Sequence, residues 1–290
     1  MKFFSRIFPS RGDTHGEVIR KVIAIVAFTV LVVCLVLLGI RYYNSWQNRN
    51  RYSSLAKTYG SSTASVVSSK YPAGMLPEFY ALYDKNPDVK GYIKIPGTKV
   101  DYPVVQSTDN DYYLHHTFDK VVDGHASLFL DYRNSLKPQS TNLIIYGHNM
   151  ADGQMFGQLN FYQKIDTLSE SSVITFNTLY GDYKWKVFAV FMTNTDTKLG
   201  HVFDYLKTDF NSDTDFNAFV NEAKARSMYN IPVDVKSGDK LLTLSTCAYE
   251  LPDGAERLVI MARRVRDGES TAVGAATVNN SSVGPTSAVK

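Results

Sequence analysis

The stretch Lys240-Leu241-Leu242-Thr243-Leu244-Ser245-Thr246-Cys247 reads as a buried strand that stops at a cysteine. Leu241, Leu242 and Leu244 supply the apolar content, and Thr243, Ser245 and Thr246 are residues a pleated strand tolerates well. Pro252-Asp253-Gly254 then forces a turn. Arg257-Leu258-Val259-Ile260-Met261-Ala262-Arg263-Arg264-Val265 reads as a second strand. Cys247 is thus expected at a strand end beside a loop, where a rigid element presents a side chain to a ligand. The alternative is that Cys247 is a small core hydrophobe, the usual fate of a free cysteine.

Outward from this pair, short apolar runs alternate with turn signals. Strands are expected at 91–95, 100–105, 127–130, 142–146, 173–176 and 183–191, with Pro96-Gly97 marking one turn. The 19 tyrosines and 16 phenylalanines suit a β-rich fold. Many short strands with regular turns predict a mainly β domain, a closed barrel or a sandwich. One helical stretch precedes the strands and one interrupts them. Met75-Leu76-Pro77-Glu78-Phe79-Tyr80-Ala81-Leu82-Tyr83 has helical spacing and ends at Asn86-Pro87. Asp213-Thr214-Asp215 caps a run over 216–228, with Phe216, Phe219, Val220 and Ala223 on one face. The folded domain is expected over 74–266, and 267–290, which lacks aromatic residues, reads as a disordered tail.

Residues 22–40 are apolar apart from Thr29, Cys34 and Gly39, a length that spans a bilayer core. Lys2, Arg6, Arg11, Arg20 and Lys21 precede the run and Arg41 alone lies close after it, which places the N-terminus, 1–21, in the cytoplasm. Arg41-Tyr42-Tyr43-Asn44-Ser45-Trp46 is a poor cleavage site, so the run is expected to stay as a single transmembrane anchor. Residues 41–73 then form an extracellular stalk containing Ser61-Ser62-Thr63-Ala64-Ser65, and the domain faces the outside of the cell membrane. A net charge of +3 without a clustered basic face argues against nucleic acid. Cys34 lies in the apolar run, which leaves Cys247 a solitary thiol. No CxxC pair or paired-His helix calls for zinc, and no cofactor is indicated.

A lone cysteine becomes a nucleophile when a neighbour takes its proton. Of the six histidines, His148 in Tyr146-Gly147-His148-Asn149-Met150 directly follows an apolar strand, so it shares the strand-end setting of Cys247. His15 is on the cytoplasmic side, and His115, His116, His125 and His201 read as solvated surface residues. Arg257 opens the strand after the Cys247 loop and offers fixed donors to an oxyanion. Arg263, Arg264 and Arg266 read as surface charges, and no carboxylate is placed to orient His148.

Thr243-Leu244-Ser245-Thr246-Cys247 resembles the TLxTC signature of the sortases, with Arg257 ten residues on and Tyr146-Gly147-His148 about a hundred before. Gly91-Tyr92-Ile93-Lys94-Ile95-Pro96-Gly97-Thr98, Tyr102-Pro103-Val104-Val105-Gln106, Asp109-Asn110-Asp111-Tyr112-Tyr113-Leu114 and Phe129-Leu130-Asp131-Tyr132-Arg133-Asn134 resemble class B. The likeness covers roughly 74–266. It implies a closed β-barrel of about eight strands, with N-terminal helices and a helix before the cysteine strand. It also implies cysteine transpeptidation at the surface of a Gram-positive bacterium, with Cys247 as nucleophile, His148 as acid and base, and Arg257 as oxyanion or backbone donor. Asn110, Leu114, Tyr205, Ser245 and Thr246 would bind the substrate, an NPxTx-like sorting-signal peptide of a surface protein or pilin. The acceptor would be an amine of peptidoglycan in cell-wall anchoring, or of a pilin in pilus assembly. The chain departs from some class B members after the cysteine, where Ala248 and Tyr249 precede the first acid, Glu250. Two other readings stay open: a membrane-tethered cysteine peptidase with water as acceptor, and a non-catalytic surface β-barrel module.

Overall fold

The computed structural model describes residues 7–10, 12–61, 70–248 and 254–289, with the backbone alone at 247 and 248. Lys2, Arg6 and Arg11 of the charge argument, 62–69 of the stalk and 249–253 of the loop after Cys247 lie outside the described residues. The chain divides into two compact units, Met1–Arg51 and Tyr52–Lys290.

The first unit is dominated by helix α1, His15–Thr58, 44 residues long. A reciprocal capping box starts it: the Thr14 N–H donates to the Glu17 carboxylate at 2.9 Å and the Glu17 N–H to Thr14 Oγ1 at 3.4 Å. The helix is long and apolar enough to cross a membrane. Large side chains of its apolar stretch face outward: Ile23 is 62% exposed and Leu38 63%.

The second unit takes in the last residues of α1. Tyr52 and Leu55 are buried, and the Tyr52 hydroxyl donates to the Ala126 carbonyl at 2.8 Å. The compact unit therefore begins at Tyr52, upstream of the start expected near 74. Here a 3-10 turn, Pro77–Phe79, leads into α2, Tyr80–Lys85. Strands follow at β1 Val89–Lys94, β2 Asp101–Val105, β3 Leu128–Leu130, β4 Asn142–Tyr146, β5 Val173–Thr178 and β6 Lys184–Asn194. Short helices α3, Tyr112–His115, and α4, Ile165–Ser171, lie in the connections. Then come α5 Asp213–Arg226, β7 Tyr229–Asn230, β8 Leu241–Ala248, β9 Glu256–Arg264 and β10 Thr277–Val278. The cap of α5 is Ser212, whose Oγ accepts from the Asp215 N–H at 3.1 Å, one residue before the expected one.

Eight strands close into a hydrogen-bonded ring in the order β1-β2-β3-β4-β8-β9-β6-β5. The β4–β8 pair is parallel and β8–β9 antiparallel. A closed ring has no free edge, which removes the hazard of unpaired strand groups. Leu241 through Thr246 are all buried, because strand β8 is covered on both faces. Leu143, Ile145, Leu242 and Leu244 enter the hydrophobic core. On the other face Thr243 Oγ1 donates to Asn142 Oδ1 at 2.8 Å.

Two expectations are revised. Arg263, read as a surface charge, is completely buried and forms a bidentate pair with Glu269 at 2.6 and 2.7 Å. The segment after 266, read from composition as disordered, is ordered over its described part. Thr277 and Val278 pair with β7, and the Val283 N–H donates to the Ala225 carbonyl at 3.0 Å. Backbone and arginine donors hold this segment, and they do not need the aromatic side chains whose absence suggested disorder.

Candidate active site

The site is built by strand register. Tyr146 of β4 pairs with Ser245 of β8 in parallel, and the Gly147 N–H continues the ladder to the Ser245 carbonyl at 3.3 Å. His148 and Cys247 each lie two residues past that pair, on neighbouring strands running the same way. Across the antiparallel β8–β9 ladder Cys247 faces Arg257 directly, and Arg257 in turn faces Thr193 of β6. Directly opposed residues share a face. The backbone alone thus gathers His148, Cys247 and Arg257 at one end of three adjacent strands.

Gly147 is needed for packing. A Cβ there would run into the Leu128 side chain and come within 2.9 Å of Phe156. Its lack of a side chain leaves room for Leu128 and Phe156 where the chain turns out of β4 into His148. The half-buried His148 ring is oriented by a backbone carbonyl: Nε2 lies 2.8 Å from the Leu114 oxygen. A carbonyl only accepts, so Nε2 carries the hydrogen and Nδ1 is left as the basic nitrogen. Leu114 ends up there because the Asp109 carboxylate accepts from the Asp111 and Tyr112 N–H groups at 2.9 and 2.7 Å, starting α3. Among the described residues, the bond to the Leu114 carbonyl is the one recorded for the His148 ring. The role of Leu114's carbonyl was not legible in the sequence.

Arg257 is half-buried. One terminal nitrogen donates to the Gly254 carbonyl and, at 2.9 Å, to that of Glu256. The Nε–H and the second terminal nitrogen have no bond among the described residues.

The expected substrate residues separate into two groups. Tyr205 and Ser245 are buried, and their hydroxyls meet at 3.0 Å. Asn110 spans a corner, donating to Asp131 Oδ2 at 3.1 Å and accepting from the Tyr132 N–H at 3.0 Å. Thr246 does not join them. Its side chain is buried, and strand alternation puts it on the face of β8 opposite Thr243 and Ser245.

Asp131 anchors that corner and was not singled out from the sequence. Its fully buried carboxylate accepts from Arg133 at 2.9 and 2.8 Å, from the Tyr146 hydroxyl at 2.8 Å, and from Asn110. Burial raises a carboxyl, yet the Arg133 guanidinium, helped by the Arg133 N–H, Tyr146 and Asn110, holds Asp131 below the usual carboxylate range. Burial, and then the Asp131 charge, push the Tyr146 hydroxyl far up, so Tyr146 stays neutral. Arg133 also donates to the Leu206 carbonyl at 3.1 Å, which ties the corner to the connection carrying Tyr205. An Asp-x-Arg directly after an apolar strand was the available signal.

His125, read as a surface residue, is in fact buried, with ring nitrogens 2.9 Å from Asp123 and 3.0 Å from Asp152. It bridges two loops and lies outside the strand-end constellation. No His, Cys, Asp and Glu cluster among the described residues has metal-binding geometry.

A family model for the sortase domain matches residues 93–265, from within β1 to just past β9. Sortase B of Staphylococcus aureus is 32% identical over 241 residues, covering 82% of this chain and 94% of that protein. The crystal structure of a Staphylococcus aureus sortase B–substrate complex superposes with a TM-score of 0.66 at 32% identity, covering 78% of this chain and all of that one. A structure of sortase B complexed with triglycine matches with a TM-score of 0.65 at 32% identity, over 77% of this chain and 100% of the other. The family model and these relatives agree, and the chain belongs to the sortase B family of cysteine transpeptidases.

Proposed function

We propose that this transpeptidase cleaves a C-terminal sorting signal after threonine and joins the acyl group to an amine, with Cys247, His148 and Arg257 as its catalytic residues. The Cys247 thiolate attacks the threonine carbonyl, and the oxyanion that forms is met by the free N–H groups of Arg257. Collapse breaks the peptide bond, and the imidazolium of His148 gives its proton to the leaving amine. The thioacyl carbonyl is then attacked by the acceptor amine, whose proton returns to His148 as the Cys247 thiolate leaves. The single observation that supports this assignment is the register: His148 two residues past Tyr146, Cys247 two past its partner Ser245, and Arg257 opposite Cys247.

The sorting peptide lies along the face of Tyr146, Ser245 and Tyr205, bounded by Leu114 and by the Asn110 corner. An NPxTx-like motif is the substrate. The acceptor is a peptidoglycan amine of the glycine type, the reading favoured by the triglycine complex of the related sortase B. Helix α1 is a single-pass anchor with a cytoplasmic N-terminus, and the catalytic unit lies outside the cell.

A sorting-peptide library incubated with the enzyme and read by mass spectrometry tests this. The expected result is a Cys247 thioacyl adduct with NPxTx peptides, lost completely in Cys247→Ala and resolved by oligoglycine. An adduct that oligoglycine leaves intact while a lysine-bearing pilin peptide resolves it would transfer the assignment to pilus assembly. Wild-type turnover by Cys247→Ala would remove the cysteine from the mechanism.

A further inference from the structure

The C-terminal segment lies beyond the family match, which stops at 265, yet it is bonded to the connection that presents Tyr205. We propose that residues 283–287 form a strap, pinned by Arg226, that positions this connection, 195–212, for peptide recognition. The inference rests on the reading above that the Tyr205–Ser245 face receives the sorting peptide.

Arg226 ends α5, and its side chain is completely buried. Its guanidinium donates to the Gly284 carbonyl at 3.2 Å, to the Ser287 carbonyl at 2.9 Å, and twice to Glu222 at 2.8 and 3.1 Å. It also lies 5.5 Å from the centre of the buried Phe203 ring. Phe203 is two residues before Tyr205, and its carbonyl accepts from the Tyr205 N–H at 2.8 Å. One cation thus holds the strap on one side and the base of the Tyr205 turn on the other. A buried guanidinium needs each donor satisfied, so its geometry is strongly specified.

The strap makes two further bonds, one to the connection and one to the last residue of β6, just before it. The Thr286 carbonyl accepts from the His201 N–H at 2.9 Å and the Pro285 carbonyl from the Asn194 N–H at 3.3 Å. Gly200 permits the close pass, since a Cβ there would lie 2.5 Å from the Thr286 oxygen. Next to Asn194, the Thr195 N–H and hydroxyl both donate to the Ala255 carbonyl, at 2.8 and 2.7 Å. Ala255 is two residues before Arg257. The strap therefore braces the recognition connection and sits one residue from the bond that fixes the approach to Arg257. Its own hold begins at Asn279, whose Nδ2 donates to the Ser227 carbonyl at 2.8 Å.

Arg226 is accordingly a positioning residue. The full-length chain with Arg226→Met is compared with wild type for peptide KM, for kcat with a fixed amine, and for amide exchange at Asn194 and His201. The expected result is faster exchange at both amides, a rise in peptide KM of about five- to tenfold, and kcat changed less than about twofold. Arg226→Lys should recover part of the KM. The double variant Asn279→Ala/Pro285→Gly leaves the ring and α5 intact, loosens only the strap, and should reproduce the KM effect; it carries the test if Arg226→Met does not fold. Faster exchange with an unchanged KM overturns the inference, as does unaltered exchange in the double variant. A wild-type enzyme that captures no sorting peptide instead overturns the functional reading, and this inference with it.

Discussion

The strand-end rim of His148, Cys247 and Arg257 and the Asp131 corner share Tyr146, and they are held by different forces. The rim is positioned by ladder bonds: Tyr146 against Ser245, Gly147 N–H to Ser245 carbonyl, Cys247 opposite Arg257. Those bonds belong to the backbone, so they survive the loss of any side chain they position. The corner is positioned by one buried carboxylate accepting from Arg133, Asn110 and Tyr146. Here the side chains are themselves the scaffold, and a buried polar group left without its partner is costly. Substitutions at the rim should therefore change rates and spare stability, and substitutions at the corner should change both.

The largest effect that tests this contrast is at His148. His148→Ala should lower kcat about 10²–10⁴-fold in both thioacyl formation and amine transfer, with a melting temperature close to wild type. A large drop in melting temperature would show that the rim depends on its side chains after all. Arg257→Ala comes next, with a loss of about 10²–10³-fold in kcat, and Arg257→Lys should restore little of it because the paired donors are gone. Full recovery with lysine would reduce the role to charge alone.

At the corner, Asp131→Asn should cost about 1.5–3 kcal/mol of stability and raise peptide KM through the loosened Asn110. Its pH dependence has a definite sign. The folded-state pKa of Asp131 lies below that of the unfolded chain, so the stabilisation is complete above the ordinary carboxylate range and is lost as pH falls through the folded value. The melting difference between wild type and Asp131→Asn should thus hold steady down to about pH 5 and shrink below about pH 4. A difference that shrinks between pH 6 and 8 would point to another group. Tyr205→Phe is the smallest test. Losing the hydroxyl bond to Ser245 should cost about 0.5–1.5 kcal/mol, read in denaturant titrations, with kcat unaltered.

The contrast also explains what was legible in the sequence. The rim follows from periodicity: Asn142-Leu143-Ile144-Ile145-Tyr146 and Leu241–Cys247 announce strands, and the catalytic candidates are the residues just beyond or opposite them. All eight ring strands were expected close to where they lie, because each carries its own apolar run between turn residues. The corner was only partly visible. Asn110 was named, while Asp131 and Arg133 entered only as part of the class B-like stretch 129–134, since nothing local says that a carboxylate will be fully buried. His125 and Arg263 were misjudged for the same reason: their partners Asp152 and Glu269 come from separate loops.

By itself, the amino-acid sequence determined the strands, the apolar helix at the N-terminus, and the pairing of Cys247 with Arg257 through one connecting turn. These are properties of local pattern, and the covalent chain carries local pattern directly. Tertiary structure alone decided the parallel β4–β8 contact that sets His148 level with Cys247, the Leu114 carbonyl that selects the imidazole tautomer, and the path of the segment after 266. Each of these joins residues distant in the chain through backbone groups, and a backbone carbonyl is the same in every residue, so no side-chain pattern announces where it will point.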